Sequence, residues 1–280
     1  MRQNGRGSTP WLRLAIGFVA ALVAARVGAQ DGDVPPADGP PARLRLVNLA
    51  FAPTGEPSAL DVHTGFRADG PMLAAALAFG HASEHLSVPP GRTTVLVTPA
   101  GKTGNDDVLG DQSITLAAGE AATVLLARGE ASMEGQPTVA FKIHREISFD
   151  ADHPLPAPPA GKVLVIGDVL ATQHVWPGSP TFELGRAKGG CLRKLREEDR
   201  TSPISGTFAV SYLAEPGTGE IVAFRGTDSG CRGVPATPAI TVAAQPGDRI
   251  LAFVHGTSPT TAAILALPMA SEPRASTSPR

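Results

Sequence analysis

Apolar and polar residues alternate along most of this chain with a period of two. Arg43-Leu44-Arg45-Leu46-Val47-Asn48-Leu49 and Ala59-Leu60-Asp61-Val62-His63 place successive side chains on opposite faces of an extended backbone. Thr93–Thr98, Ser113–Leu116, Ala122–Ala127, Val139–Ile143 and Ile147–Phe149 continue the series, several of them rich in β-branched residues. Gly and Pro separate them, at Pro89-Pro90-Gly91, Pro99-Ala100-Gly101, Gly104-Asn105 and Ala118-Gly119-Glu120. Met72–Phe79 has a helix-forming composition, but eight residues ending at Gly80 suit a strand or short turn as well. Strands of this length and spacing predict a β-sandwich over residues 43–150.

The style repeats over residues 162–270. Lys162–Ile166, Thr181–Leu184, Thr207–Leu213, Glu220–Phe224, Ala239–Val242, Arg249–Val254 and Ala262–Leu267 read as strands. Leu192–Arg200 has mixed charges at helical spacing and no β-branched residue, so one short surface helix is expected there. Ile114-Thr115-Leu116-Ala117-Ala118-Gly119 and Ile240-Thr241-Val242-Ala243-Ala244 occupy similar places in the two halves. Each leads through a glycine turn into another apolar strand, which points to an internal repeat. The predicted fold is all-β, with two tandem immunoglobulin-like antiparallel β-sandwiches and one short helix in the second. Residues 30–42 and 151–161 each hold four prolines and read as a disordered linker and a Pro-rich spacer. Residues 271–280 read as a disordered tail.

The N-terminus carries an address. Arg2, Arg6 and Arg13 precede the apolar run Leu14–Ala25, and small residues follow up to Ala29. This is the pattern of a secretory signal peptide over residues 1–29, with cleavage expected after Ala29. An uncleaved anchor is the alternative, but a 12-residue helix rises only ~18 Å against a ~30 Å hydrocarbon core. Cleavage would remove four arginines and no acid, leaving 20 basic and 26 acidic residues and a net charge of about −6. That balance excludes nucleic acid as an expected partner, and no later segment is apolar for long enough to insert stably in a membrane. The expected location is periplasmic or extracellular.

Cys191 and Cys231 are the only cysteines. In an exported chain they predict one disulfide; a redox or metal site is the alternative, but there is no C-x-x-C and no neighbouring histidine. His81 and His85 flank Glu84 in the order opposite to a zincin motif, and on a strand they lie ~13 Å apart. His63, His144, His153, His174 and His255 are scattered singly. Asp31, Asp33 and Asn105-Asp106-Asp107 fall short of a calcium loop and read as solvated turns. Asp61 faces away from Leu60 and Val62, which suits a structural hydrogen bond to a neighbouring turn. Nucleophile elbow, phosphate loop and dinucleotide fingerprint are all missing. Aromatic residues make up 5% of the chain, and outside the signal only Trp176 and Tyr212 join the phenylalanines as stacking surfaces. No catalytic residue, cofactor or metal is expected.

The set Leu44–Ala50, Ala59–His63, Leu77–Ser83, Val88–Gly91, Val95–Gly101 and Ile114–Gly119 resembles the domain-of-unknown-function 4397 family, a bacterial extracytoplasmic β-sandwich. The resemblance covers about 85 residues in consistent order, and in the second half only the stretch from Ile240 to Gly256. It implies a sandwich and an exported location, and brings no established activity. The expected function is a non-catalytic binding or structural role at the cell envelope, through sandwich-end loops or sheet faces, with an envelope protein or glycan as partner. The rival is an extracytoplasmic hydrolase with dispersed residues, which would gather Asp61, His81 or His85 with other acids in a deep pocket.

Overall fold

In the computed structural model, residues 39–50, 58–128, 138–148, 157–168, 182–194, 210–225, 231, 233–256 and 261–271 are described. The expectations at the signal segment, Ala29, Asp31, Asp33, His153, His174 and Trp176 lie outside these residues.

The first half contains β1 (Ala42–Leu49), β2 (Leu60–Thr64), β3 (Met72–Leu77), β4 (His81–Ala82), β5 (Leu86–Val88), β6 (Gly91–Pro99), β7 (Gly110–Leu116), β8 (Ala121–Arg128) and β9 (Val139–Ile147). One sheet has β4 and β5 on the same edge of β1, followed by β8 and β9; the other runs β3-β2-β6-β7. Leu44, Leu46, Val62, Val95, Val97, Val124 and Leu126 interleave between them as a closed aliphatic core. The second half contains β10 (Val163–Asp168), β11 (Phe182–Arg186), β12 (Arg193–Lys194), β13 (Val210–Ala214), β14 (Gly217–Arg225), β15 (Ile240–Ala244), β16 (Arg249–His255) and β17 (Ala263–Pro268). Its sheets run β12-β13-β10-β16-β17 and β11-β14-β15, around Val163, Val165, Phe182, Leu184, Tyr212, Ile221 and Ile250.

The two halves repeat one plan. Leaving β3 aside, their strands visit the two sheets in the same order. The turn into β8 places Gly119 at φ +79° and the turn into β16 places Gly247 at +89°, conformations in which a Cβ is penalised. In the first turn the Glu120 carboxylate accepts from Ala117 N at 2.8 Å; in the second, Asp248 accepts from Gln245 N at 2.6 Å. Structurally, therefore, Leu116 corresponds to Ala244 and Ile114 to Val242. The alignment by residue letters is two positions off, because the turn pair Ala117-Ala118 corresponds to Gln245-Pro246, whereas the matching letters Ala243-Ala244 still belong to the strand.

Three details correct the sequence reading. The described part of the expected helix is extended, since Arg193 and Lys194 pair with Leu213 and Tyr212; residues 195–200 lie outside the described residues. The sheets are not wholly antiparallel, because β1 runs parallel to β8 and β10 parallel to β16. Both first strands are therefore inside their sheets, whereas an immunoglobulin-like order puts the first strand at an edge. Among the described residues there is no α-helix, only a 3₁₀ turn at Asn105–Asp107, and no helix long and apolar enough to cross a membrane.

The β1 and β10 sheets also pack on each other. Val47, Leu49 and Leu125 from the first half meet Leu251, Phe253 and Met269 from the second, forming a third cluster separate from both cores. These two are called the inner sheets below, and their partners the outer sheets.

Candidate functional site

The residues singled out in the sequence go to separate structural tasks. Asp61 sits at a register irregularity between β2 and β3 and is 5% exposed. Its carboxylate accepts from Ala76 N at 2.6 Å and Gly101 N at 2.7 Å, and Ala76 has φ +46°. Asp61 thus holds a β-bulge and a turn, as a strand carboxylate facing a loop can. Asn105 Oδ1 accepts from Ala68 N, Asp106 is exposed and Asp107 is half-buried. His63 is buried beneath the loop after β2, with Nδ1 3.3 Å from Gly70 O. Tyr212 is part of the second core, where burial pushes its phenol above the ordinary range.

His85, in contrast, joins a buried polar network that the sequence did not reveal. Glu146 on β9 is fully buried. It accepts from Arg45 Nη2 at 2.8 Å, from the Thr123 hydroxyl and from Ala270 N, and lies 3.2 Å from His85 Nε2. Arg45 also donates to Pro268 O at 2.9 Å. Burial alone would raise the Glu146 carboxyl. The contacts from His85, Arg45, Thr123 and Ala270 outweigh it and bring the pKa down to about 2. Because Pro268 and Ala270 belong to the second half, the network fastens the two sandwiches together. At the same interface His144 meets Phe253 edge-on at 5.5 Å, and His255 meets Phe79 in the same way at 5.5 Å. Burial, with a smaller effect from the charge of His81, lowers the His255 pKa to about 4. Asp61 and His85 are thus committed to different sheets, and the described residues do not gather them into one pocket.

Cys191 and Cys231 are bonded, with sulfurs 2.08 Å apart. Glu183 lies 3.3 Å from Cys191 Sγ, but both sulfurs are oxidised and offer no thiolate to a metal.

Among the described residues, a cleft of about 680 Å³ lies at one end of the second sandwich. Its floor is aliphatic, from Val163, Val165, Ile221, Ala244 and Ile250. The register explains why it is open. At structurally matching positions the first half has Val88, Thr93, Ile114 and Leu116, and the second has Ala214, Gly219, Val242 and Ala244, every one smaller. Two inner-sheet positions are enlarged, Ala42 to Val163 and Ala122 to Ile250, and these line the floor. Gly217 and Gly219 alternate with Ile221 and Ala223 toward the interior, and a Cβ on either glycine would meet open space. Arg186 shares the inward face of Phe182 and Leu184 and lies at the mouth beside Lys188.

No family model matches the chain. No curated protein matches it. A solved structure described under "Alpha-glucan recognition by family 41 carbohydrate-binding modules from streptococcal virulence factors" aligns over 80% of this chain and 96% of its own. The identity is 12% and the TM-score 0.21, and the α-glucan stays with that protein.

Proposed function

We propose that this is an exported, non-catalytic binding protein of the bacterial cell envelope, related in its first half to the domain-of-unknown-function 4397 family, with its ligand site in the second sandwich. The observation that carries the reading is the hollowed end of that sandwich, where four positions filled in the first half are cut back together. A cleft of about 680 Å³ lies within the ~300–1,000 Å³ of ordinary small-molecule sites, and its apolar floor with a few polar rim groups matches their make-up. The described lining has no histidine, serine or cysteine to act as nucleophile or base. Of its two carboxylates, Glu215 is 2.6 Å from Lys162 Nζ, and Glu220 alternates with Ile221 toward the opposite face of its sheet. The disulfide fits an oxidising compartment, as does the expected signal segment.

The test is titration with N-phenyl-1-naphthylamine, a neutral probe that fluoresces in apolar sites. Saturable enhancement is expected, and Gly219→Leu, which fills the cleft from an unstrained strand position, should abolish it. Equal enhancement by both proteins, or none by either, refutes the assignment.

A further inference from the structure

We infer that the cleft takes a free single-chain amphiphile, an aliphatic chain with an anionic head such as a long-chain carboxylate. The inference rests on the binding reading above and specifies its ligand. Shape and lining select the chain. Among the described lining residues there is no aromatic ring, so they offer no plate on which a sugar ring or a base would stack. Aliphatic branches from Val163, Val165, Ile221 and Ile250 face methylene groups instead, and the missing side chains at Gly217 and Gly219 leave a strip of bare backbone for a narrow chain to lie against.

The mouth selects the head. Glu215 is neutralised by Lys162, and its carboxyl is held below the ordinary range by that lysine, with a smaller contribution from Arg186. Glu220 faces the other side of the outer sheet. Arg186 and Lys188 make no close ion pair among the described residues; Arg186 acts on Glu215 only at longer range. Arg186 is directed inward by strand alternation, where its guanidinium can meet a carboxylate at the open end of the floor. In the first half the corresponding position is Thr64, so the cation accompanies the cavity rather than the shared plan.

The experiment measures displacement of N-phenyl-1-naphthylamine by decanoate, dodecanoate, tetradecanoate, dodecanol and dodecyltrimethylammonium, on wild type and on R186E/K188E. Both substituted residues are exposed, so the sandwich stays intact. Dodecanoate should displace the probe at about tenfold lower concentration than dodecanol, the scale of two exposed ion pairs. Each added pair of methylenes should tighten binding about tenfold until the cleft is full. In R186E/K188E the margin of acid over alcohol, each compared within the same protein, should vanish. Equal displacement by acid, alcohol and ammonium in wild type, or a margin that survives R186E/K188E, overturns the inference and leaves the cleft reading standing. Failure of the probe itself to bind overturns both. Co-sedimentation with phosphatidylglycerol vesicles that dodecanoate does not compete assigns the cations to a membrane surface and also overturns it.

Discussion

Replacing Glu146 with Gln should weaken the whole molecule, although no cleft residue is touched. The side chain is fully buried and receives Arg45, Thr123, His85 and the Ala270 amide. Its pKa falls from 4.5 to about 2, which at ~1.4 kcal/mol per unit is about 3 kcal/mol of stabilisation of the charged form in the fold. Gln keeps the shape but leaves the Arg45 guanidinium buried without its counter-charge, a situation that costs ~3–5 kcal/mol. Both routes give a loss near 3 kcal/mol at pH 7, seen as a urea midpoint lower by roughly 1–2 M. The pH dependence is the sharper test. A carboxyl depressed in the fold stabilises fully above its unfolded pKa, and that stabilisation is lost as pH falls from about 4.5 toward about 2. The gap between wild type and E146Q should therefore close across that window. Amide exchange at Ala270 should accelerate in E146Q, because the carboxylate is its acceptor across the interface. A gap below about 1 kcal/mol at pH 7, or one of equal size at pH 7 and pH 2.5, would refute the reasoning.

His255 acts earlier in acid. Its pKa is lowered in the fold, so unfolding takes up a proton and stability falls from about pH 6.5 to about 4; H255Q should remove that slope from a urea-denaturation series. Asp61→Ala leaves the Ala76 and Gly101 amides without their acceptor and should cost about 3 kcal/mol in thermal or urea unfolding. Ala76→Gly, at an exposed position with φ +46°, should instead gain up to about 1 kcal/mol in the same assay by relieving left-handed strain. Replacing Cys191 and Cys231 together by Ser opens a loop with a sequence separation of 40 and should lower stability by about 4 kcal/mol, read as a lower melting temperature.

Most strands were legible because one face of each meets a core. Val95 and Val97 point inward and Thr94 and Thr98 outward, so the period of two is written in the letters. The same rule turns Asp61 away from the core toward a neighbouring turn, and its carboxylate accepts from Gly101 N there. The rule places Arg45 on the face opposite Leu44 and Leu46 but does not say what covers that face. The second sandwich covers that face, and nothing in a local window announces a neighbour more than 200 residues away. Strands β4 and β5 hold two and three residues, too few for any period. Arg193 and Lys194 carry helical composition, yet pairing with Leu213 and Tyr212 beside the disulfide overrides it. The cleft was hidden because the expected strand begins at Glu220, which leaves Gly217 and Gly219 outside it, whereas the strand starts at Gly217. Extending the alternation of Ile221 and Ala223 backward would have placed both inside a sandwich, where two missing side chains mean a void.

The repeated plan also leaves the surfaces of the two halves unequally open. In most sandwich proteins four sheet faces are divided between core and solvent, but here the inner sheets spend their outward faces on each other, through Val47, Leu125, Leu251 and Phe253. The outer sheet of the first half is covered over its central strands, while Arg92, Asp111 and Thr115 are exposed. Its outward positions His63, Leu96 and Thr98 are buried, and Ala68 N and Gly101 N tie the covering loops down to Asn105 and Asp61. Sheet-face recognition is thereby largely withdrawn in the first half, and its sandwich end is closed by Val88, Ile114 and Leu116. The second half keeps the turn, the register and the hydrogen bonds of that end but not the side chains that fill it. Strand pairing depends on backbone groups and tolerates such trimming, whereas core filling does not. Trimming at four positions of one end, with a cation at its mouth, therefore builds a site while leaving the topology unaltered.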